Sequence, residues 1–178
     1  SDLDRGNYLD KGRCPAGYSA FEKEYAQWMN IPVLEPIDTI VSIKLNPISS
    51  YSSATPILCA FKIAIPDTKE YFYFENRQAE GWDRYLPGTG LLIYHVDISD
   101  EEAWDMNMVN TKSSHPYYQL IRSGFYSMID YRYIPFPGQD NKTMFLPPLI
   151  WDGRNAGFEL QDIKEEENCI ELNLIWKK

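Results

Sequence analysis

Two runs, "EYFYFENR" (residues 70–77) and "GLLIYHVD" (residues 90–97), read as β-strands. Both are rich in aromatic and branched aliphatic residues, which suit a pleated, half-buried surface. Between them "QAEGWDRYLPGTG" (residues 78–90) carries the Gly and Pro signals of a long loop. Glu75 and Arg77 close the first run, and His95 and Asp97 close the second. Acids, an arginine and a histidine on adjoining strands raise two readings, an active site or the polar fastening of a loop.

Outward from this pair, the period of two continues. Val41, Ile43 and Leu45 alternate with Ser42 and Lys44; Cys59, Phe61, Ile63 and Ile65 alternate with smaller or polar neighbours. Near the end, Ile170, Leu172, Leu174 and Trp176 alternate with Glu171 and Asn173. Residues 46–57 form a polar connection, and residues 98–157 hold one clear strand, Tyr117 to Ile121, within long loops. Ahead of all strands, Ser19 and Glu22 in "SAFE" form a capping box, in which the Ser side chain and the Glu side chain exchange backbone amides. A helix is expected from there until Pro32, with Phe21, Tyr25, Trp28 and Met29 as its buried face. The expected fold is mainly β, an antiparallel β-sandwich-like domain preceded by one α-helix.

Bulk properties bound the function. The chain has 178 residues, 44% hydrophobic and 15% aromatic, enough to bury a core without disulfides. Its formal charge of −9 repels phosphate backbones and anionic surfaces, so nucleic acid is not an expected partner. No run approaches the roughly 18 apolar residues of a membrane span. Cys14, Cys59 and Cys169 are far apart, which makes neither a zinc ribbon nor an even disulfide framework.

His95 and His115 stand 20 residues apart with no H-E-x-x-H, so the sequence supplies no zinc set and no catalytic residue of that kind. The plain reading of His95 is a partly buried ring bonded across the sheet, with Glu75 as acceptor. In "DISDEEAWD", Asp97, Asp100, Glu101 and Asp105 are candidate calcium ligands, although the run lacks the spacing of an EF-hand loop; a solvated acidic loop is the plainer reading. Glu75 and Asp97 are also weighed as the two carboxylates of a glycosidase. Trp82, Tyr85 and Trp104 are weighed as a sugar-stacking row in a carbohydrate-binding or adhesin-like sandwich.

A resemblance bears on these alternatives. "DLDRGNYLDKGRCPAGYSAFEKEYAQWM" resembles the stretch that follows the zinc helix in the immune-inhibitor-A-like family of secreted bacterial zinc metallopeptidases, with Tyr18, Ser19, Ala20, Phe21, Glu22 and Trp28 in matching places. The family's "EN-R" and "GWD-LPG-GLLI-HVD" are matched by Glu75, Asn76, Arg77, Gly81, Trp82, Asp83, Pro87, Gly88, Gly90, His95 and Asp97. Trp104, Asn107, Asn110, His115 and Pro116, then Phe136-Pro137-Gly138 and Trp151-Asp152-Gly153, follow in the family's order.

The resemblance implies the C-terminal, non-zinc-binding portion of a secreted metalloendopeptidase, or a catalytically inactive relative. Zinc and the general base would then belong to an upstream catalytic half of the same protein, which would also be this chain's partner, and the substrate would be protein or peptide. Residues 1–36 would be a Met-turn-like loop plus helix, the tail of the catalytic subdomain, and residues 37–178 the antiparallel β domain. Leu3 stands where the family has its Met-turn methionine. Glu75, Arg77, His95 and Asp97 would be a structural polar cluster. Trp82, Asp83 and Tyr85 would belong to a loop bordering the cleft, with Trp82, Tyr85 and Pro87 fixing it to the sheet.

Overall fold

The structure, a computed structural model, describes residues 16–54, 57–124 and 131–177. Among these residues, seven strands form two antiparallel sheets. β2 (Ala60–Ala64), β3 (Glu70–Arg77), β4 (Gly90–Asp97) and β5 (Tyr118–Ile121) make one in sequential order, while in the other β7 (Cys169–Trp176) lies between β1 (Val41–Leu45) and β6 (Phe158–Glu166). The fold is mainly β and sandwich-like, with a helix ahead of the strands.

Alternation explains how the sheets meet. Ile43 and Leu45 of β1, Phe61 and Ile63 of β2, Phe72 and Phe74 of β3, Leu91 and Ile93 of β4, and Leu160, Leu172 and Leu174 of the second sheet point into one shared core. Phe61 and Phe74 stack at 4.5 Å between ring centres. Burying each such side chain stabilises the fold by roughly 1.5–3 kcal/mol.

The other face of the four-stranded sheet is also covered. Tyr73, Leu92, Tyr94 and Val96 pack there against Ala20 and Phe21 of helix α1 (Ala20–Tyr25), with Met29, Ile31, Ile48 and Ile134 around them. β3 and β4 are consequently buried on both faces, which is why neither reads as a simple apolar–polar alternation. Val33 makes a parallel bridge to Lys62 and ties the segment after the helix to the edge of β2.

Three features differ from the sequence reading. The helix begins as expected, with Ser19 Oγ accepting from Glu22 N at 3.2 Å and Glu22 Oε2 accepting from Ser19 N at 2.7 Å. It ends at Tyr25, because Gln27 adopts a left-handed φ of 60° and turns the chain, so Tyr25 and Trp28 project into solvent. Within 98–117 the acidic run folds into a second short helix, α2 (Glu101–Asp105), capped by Asp100, whose Oδ1 accepts from Ala103 N at 3.0 Å. β6 had no counterpart in the sequence reading. Its register shifts between Gln161 and Lys164 around Asp162, at φ 53°, so Phe158, Leu160 and Ile163 face the core at uneven spacing.

Candidate functional site

β3 and β4 pair with Phe72 opposite His95, Glu75 opposite Leu92 and Glu70 opposite Asp97. Directly paired residues share a face. Phe72 lies in the core between the sheets and Leu92 in the core under α1. The four residues expected to make one polar cluster are therefore divided. Glu75 and Arg77 are on the helix face, and His95 and Asp97 on the face toward the second sheet. Glu75 is not the acceptor for His95. Nor can Glu75 and Asp97 flank one glycosidic bond from opposite faces of a sheet.

On the helix face, Arg77 is 1% exposed and every guanidinium N–H has an acceptor. Nε and Nη2 donate to Glu75 Oε1 at 3.1 and 2.6 Å, and Nη1 donates to Asp83 Oδ2 at 2.9 Å. The remaining donors reach the main chain, Nη1 to the Gly17 carbonyl at 2.9 Å and Nη2 to the Tyr18 carbonyl at 3.0 Å. The carboxylates complete the grip: Asp83 Oδ1 accepts from Gly17 N at 2.7 Å, and Glu75 Oε2 accepts from Ala20 N. Residues 17–20 are thus held by both their carbonyls and their amides. A Cβ on Gly17 would lie 3.2 Å from Arg77 Nη1 and 3.3 Å from Asp83 Oδ1, which explains a glycine there. Burial opposes the Arg77 charge, but Glu75, Tyr94 and Asp83 outweigh it and hold the group above its ordinary pKa.

In the loop after β3, Asp83 and Leu86 are buried and Pro87 is half-buried, while Trp82 and Tyr85, expected to help fix it to the sheet, are exposed. Trp82 is 70% exposed, and Tyr85 lies on the surface under the Arg84 guanidinium, 5.0 Å from the ring centre. Trp82 instead forms one wall of an open groove of about 590 Å³, with Ala16, Tyr18, Trp28 and Tyr51 among its other walls. Tyr18 (58% exposed) and Trp28 (62% exposed) meet edge to face at 5.4 Å. Trp104 is not part of any sugar-stacking row. It packs on Phe21 at 5.1 Å, and its Nε1 donates to the Asp97 carbonyl at 2.8 Å.

On the opposite face, at the other end of the hairpin, Glu70 takes the place expected for Glu75. His95 Nε2 and Glu70 Oε2 lie 2.7 Å apart, and both Glu70 oxygens accept from Trp151 N at 3.2 Å. Asp97 Oδ2 bonds His115 Nε2 at 2.8 Å, and Asp97 Oδ1 accepts from Ser99 N at 2.8 Å. The Trp151 indole lies parallel to both imidazoles, 5.8 Å from His95 and 4.1 Å from His115. Burial pushes the His95 pKa below its ordinary value despite the raising effect of Glu70. Glu70 was absent from the candidate residues. Its signal was its parity with Phe72 and Phe74 on one strand, readable only once the cross-strand register is known.

The acids weighed as calcium ligands do not converge. Asp97 serves His115 and Ser99, Asp100 caps α2 and accepts from Tyr117 Oη at 3.0 Å, and Glu101 reaches outward to Lys69 at 3.7 Å. Asp105 is exposed at the end of α2. Among the described residues, no group of three or more His, Cys, Asp or Glu side chains is arranged to hold a metal ion. Leu3 lies outside the described residues. Among the described residues, no helix is long and apolar enough to cross a membrane. Comparison with protein-family models, with curated proteins and with solved structures returned no match.

Proposed function

We propose that the chain is the C-terminal, non-zinc-binding portion of a secreted metalloendopeptidase of the immune-inhibitor-A-like type. In this role the four-stranded sheet is a platform for the segment that leads out of an upstream zinc-binding half, and the groove beside that segment borders the half's cleft. The observation that carries the reading is the Arg77 clamp. A guanidinium buried with two carboxylates is costly to assemble, and here it is spent on the backbone of residues 17–20.

The exposed rings of Tyr18, Trp28 and Trp82 around the adjoining groove support the same reading. Grouped large apolar side chains mark interaction surfaces rather than ordinary solvent-facing skin. Metal-assisted peptide hydrolysis needs three protein ligands and an open position on the ion. In this reading the upstream half supplies that set, and this chain's contribution is positioning: holding the outgoing segment and presenting an apolar wall to substrate.

The test compares this chain with the same chain carrying its natural upstream sequence, by elemental analysis for zinc and by casein hydrolysis. The longer protein should hold about one zinc ion and cleave casein, while the 178-residue chain should do neither. A longer protein without zinc and without cleavage would leave the inactive relative. Peptide cleavage by the short chain would overturn the proposal. So would glycan-array binding lost on Trp82→Ala, which would establish a carbohydrate-binding sandwich instead.

A further inference from the structure

The end of the β3–β4 hairpin remote from the Arg77 clamp gathers groups that the proposed function does not use. Phe72 stacks on His95 at 4.5 Å and 5° between planes, Trp151 lies parallel to His95, His115 stacks on Trp151, and Tyr117 lies 4.5 Å from His115. Three parts of the chain meet in this column: the hairpin, the segment leading into β5, and the loop before β6. Two carboxylates tie them, beside the main-chain bond from Asp97 N to the Tyr117 carbonyl and the bond from Arg154 Nη2 to the Pro66 carbonyl. Glu70 joins His95 to the Trp151 backbone, and Asp97 joins His115 to the turn at Ser99.

We propose that His95 is a pH-sensitive latch, holding the Trp151 loop and the segment around His115 on the sheet while its ring is neutral and releasing them when it becomes charged. The neutral ring needs one partner, and Glu70 supplies it at Nε2. Charging adds a second N–H, at Nδ1, to a ring that is 2% exposed and lies between the Phe72 ring and the Trp151 indole, so the new charge would be held among apolar faces with little access to water. Relief comes by moving Trp151 and its loop away from the ring, since β3, β4 and Phe72 are fixed in the core.

The charged and titratable groups around the ring are few. Glu70 faces it from β3, Asp97 lies two residues along β4, and His115 stands beyond the indole. Asp100 and Tyr117 satisfy each other, and on the Trp151 loop Asp152 pairs with Arg154 at 2.7 Å, whose Nη2 also donates to the Pro66 carbonyl. Burial dominates over the raising effect of Glu70. With a folded pKa below the unfolded value, the folded protein takes up the proton less readily than the unfolded chain. The contribution of neutral His95 is therefore whole above about pH 6.5 and is lost as pH falls from there through the folded value.

Hydrogen exchange read on the peptide containing Trp151, corrected for intrinsic exchange and followed from about pH 8 to about pH 5, tests this. In the unmodified chain, protection of that peptide should fall on the order of threefold to tenfold as pH drops below about 6.5, while peptides of β1 and β7 stay protected. His95→Gln, whose amide can still donate to Glu70, should remove the pH dependence, and His115→Gln should keep it. Glu70→Gln, which takes away the charge that most favours the imidazolium, should move the midpoint to lower pH. Constant protection in the unmodified chain, the same loss in His95→Gln, or an unmoved midpoint in Glu70→Gln would each overturn the latch.

Discussion

At one end of the β3–β4 hairpin, on the helix face, Arg77 sits among Glu75, Asp83 and the backbone of residues 17–20; at the other end, on the face toward the second sheet, His95 and His115 sit beside Glu70 and Asp97. His95 is opposite Phe72, five positions from Arg77 along the strand pair, so the two residues are offset by roughly 17 Å at about 3.3 Å per residue. Both ends fix a neighbouring stretch of chain through a buried carboxylate. They differ in the side chain that meets the carboxylate. A guanidinium keeps its charge throughout the range in which proteins fold, whereas an imidazole loses or gains one near neutrality. The Arg77 end is a permanent fastening, and the His95 end is conditional on pH.

Removing the fixed charge should have the largest effect. Arg77→Ala strands two buried carboxylates and two carbonyls, and breaking a buried ion pair from one side typically costs about 3–5 kcal/mol. Urea denaturation should show a loss of that size. Arg77→Lys should recover little of it, since an ammonium cannot engage both carboxylates and both carbonyls in the fork geometry seen here. A loss under about 1 kcal/mol would mean that the cluster is nearly neutral in free energy and that the segment at 17–20 is held by α1 packing alone.

At the conditional end the corresponding change should cost less. Glu70→Ala leaves His95 Nε2–H and Trp151 N–H without their acceptor, and unsatisfied buried donors cost about 1–3 kcal/mol. Unlike Arg77→Ala, it leaves no isolated ion, because the neutral ring has no charge to strand. If denaturation showed Glu70→Ala to be as damaging as Arg77→Ala, the contrast between a fixed and a titratable cation would fail, and His95 would have to be charged in the folded protein.

The strand pair and both ends of it were legible to different degrees. β3 and β4 announce themselves by composition, and Ser19 with Glu22 marks the helix start, because these are local signals. Same-strand partners two residues apart, Glu75 with Arg77 and His95 with Asp97, follow from the pleat alone. What joins Glu70 to His95 is the register across twelve intervening residues, 78–89, whose path depends on the short turn at Gly81–Asp83 and on Gly90. At φ 131°, and against the Phe136 carbonyl, Gly90 has no room for a Cβ, a constraint imposed from more than forty residues away. β6 escaped for a local reason: the bulge at Asp162 breaks its period, and the turn to β7 is made by Glu167 and Asn168, both with positive φ, instead of the Asn-Gly or Asp-Gly that mark such hairpins.

The smallest effect sharpens the comparison by asking whether the clamp and the helix cap are one device. Ser19 lies between Tyr18, whose carbonyl Arg77 holds, and Ala20, whose amide Glu75 holds; its own Oγ caps α1 and lies 2.6 Å from Tyr118 Oη. Ser19→Ala alone should cost about 1 kcal/mol, the usual value of an N-cap. The cap geometry is useful only if the backbone on both sides of Ser19 is held, and Arg77→Ala releases that backbone. In the Arg77→Ala background, Ser19→Ala should therefore cost less, giving a coupling of about 0.5 kcal/mol or more in a double-mutant cycle read by urea denaturation. Strict additivity would separate the cap from the clamp, and the helix would then owe its start to the capping box and Phe21 packing rather than to the charge buried on β3.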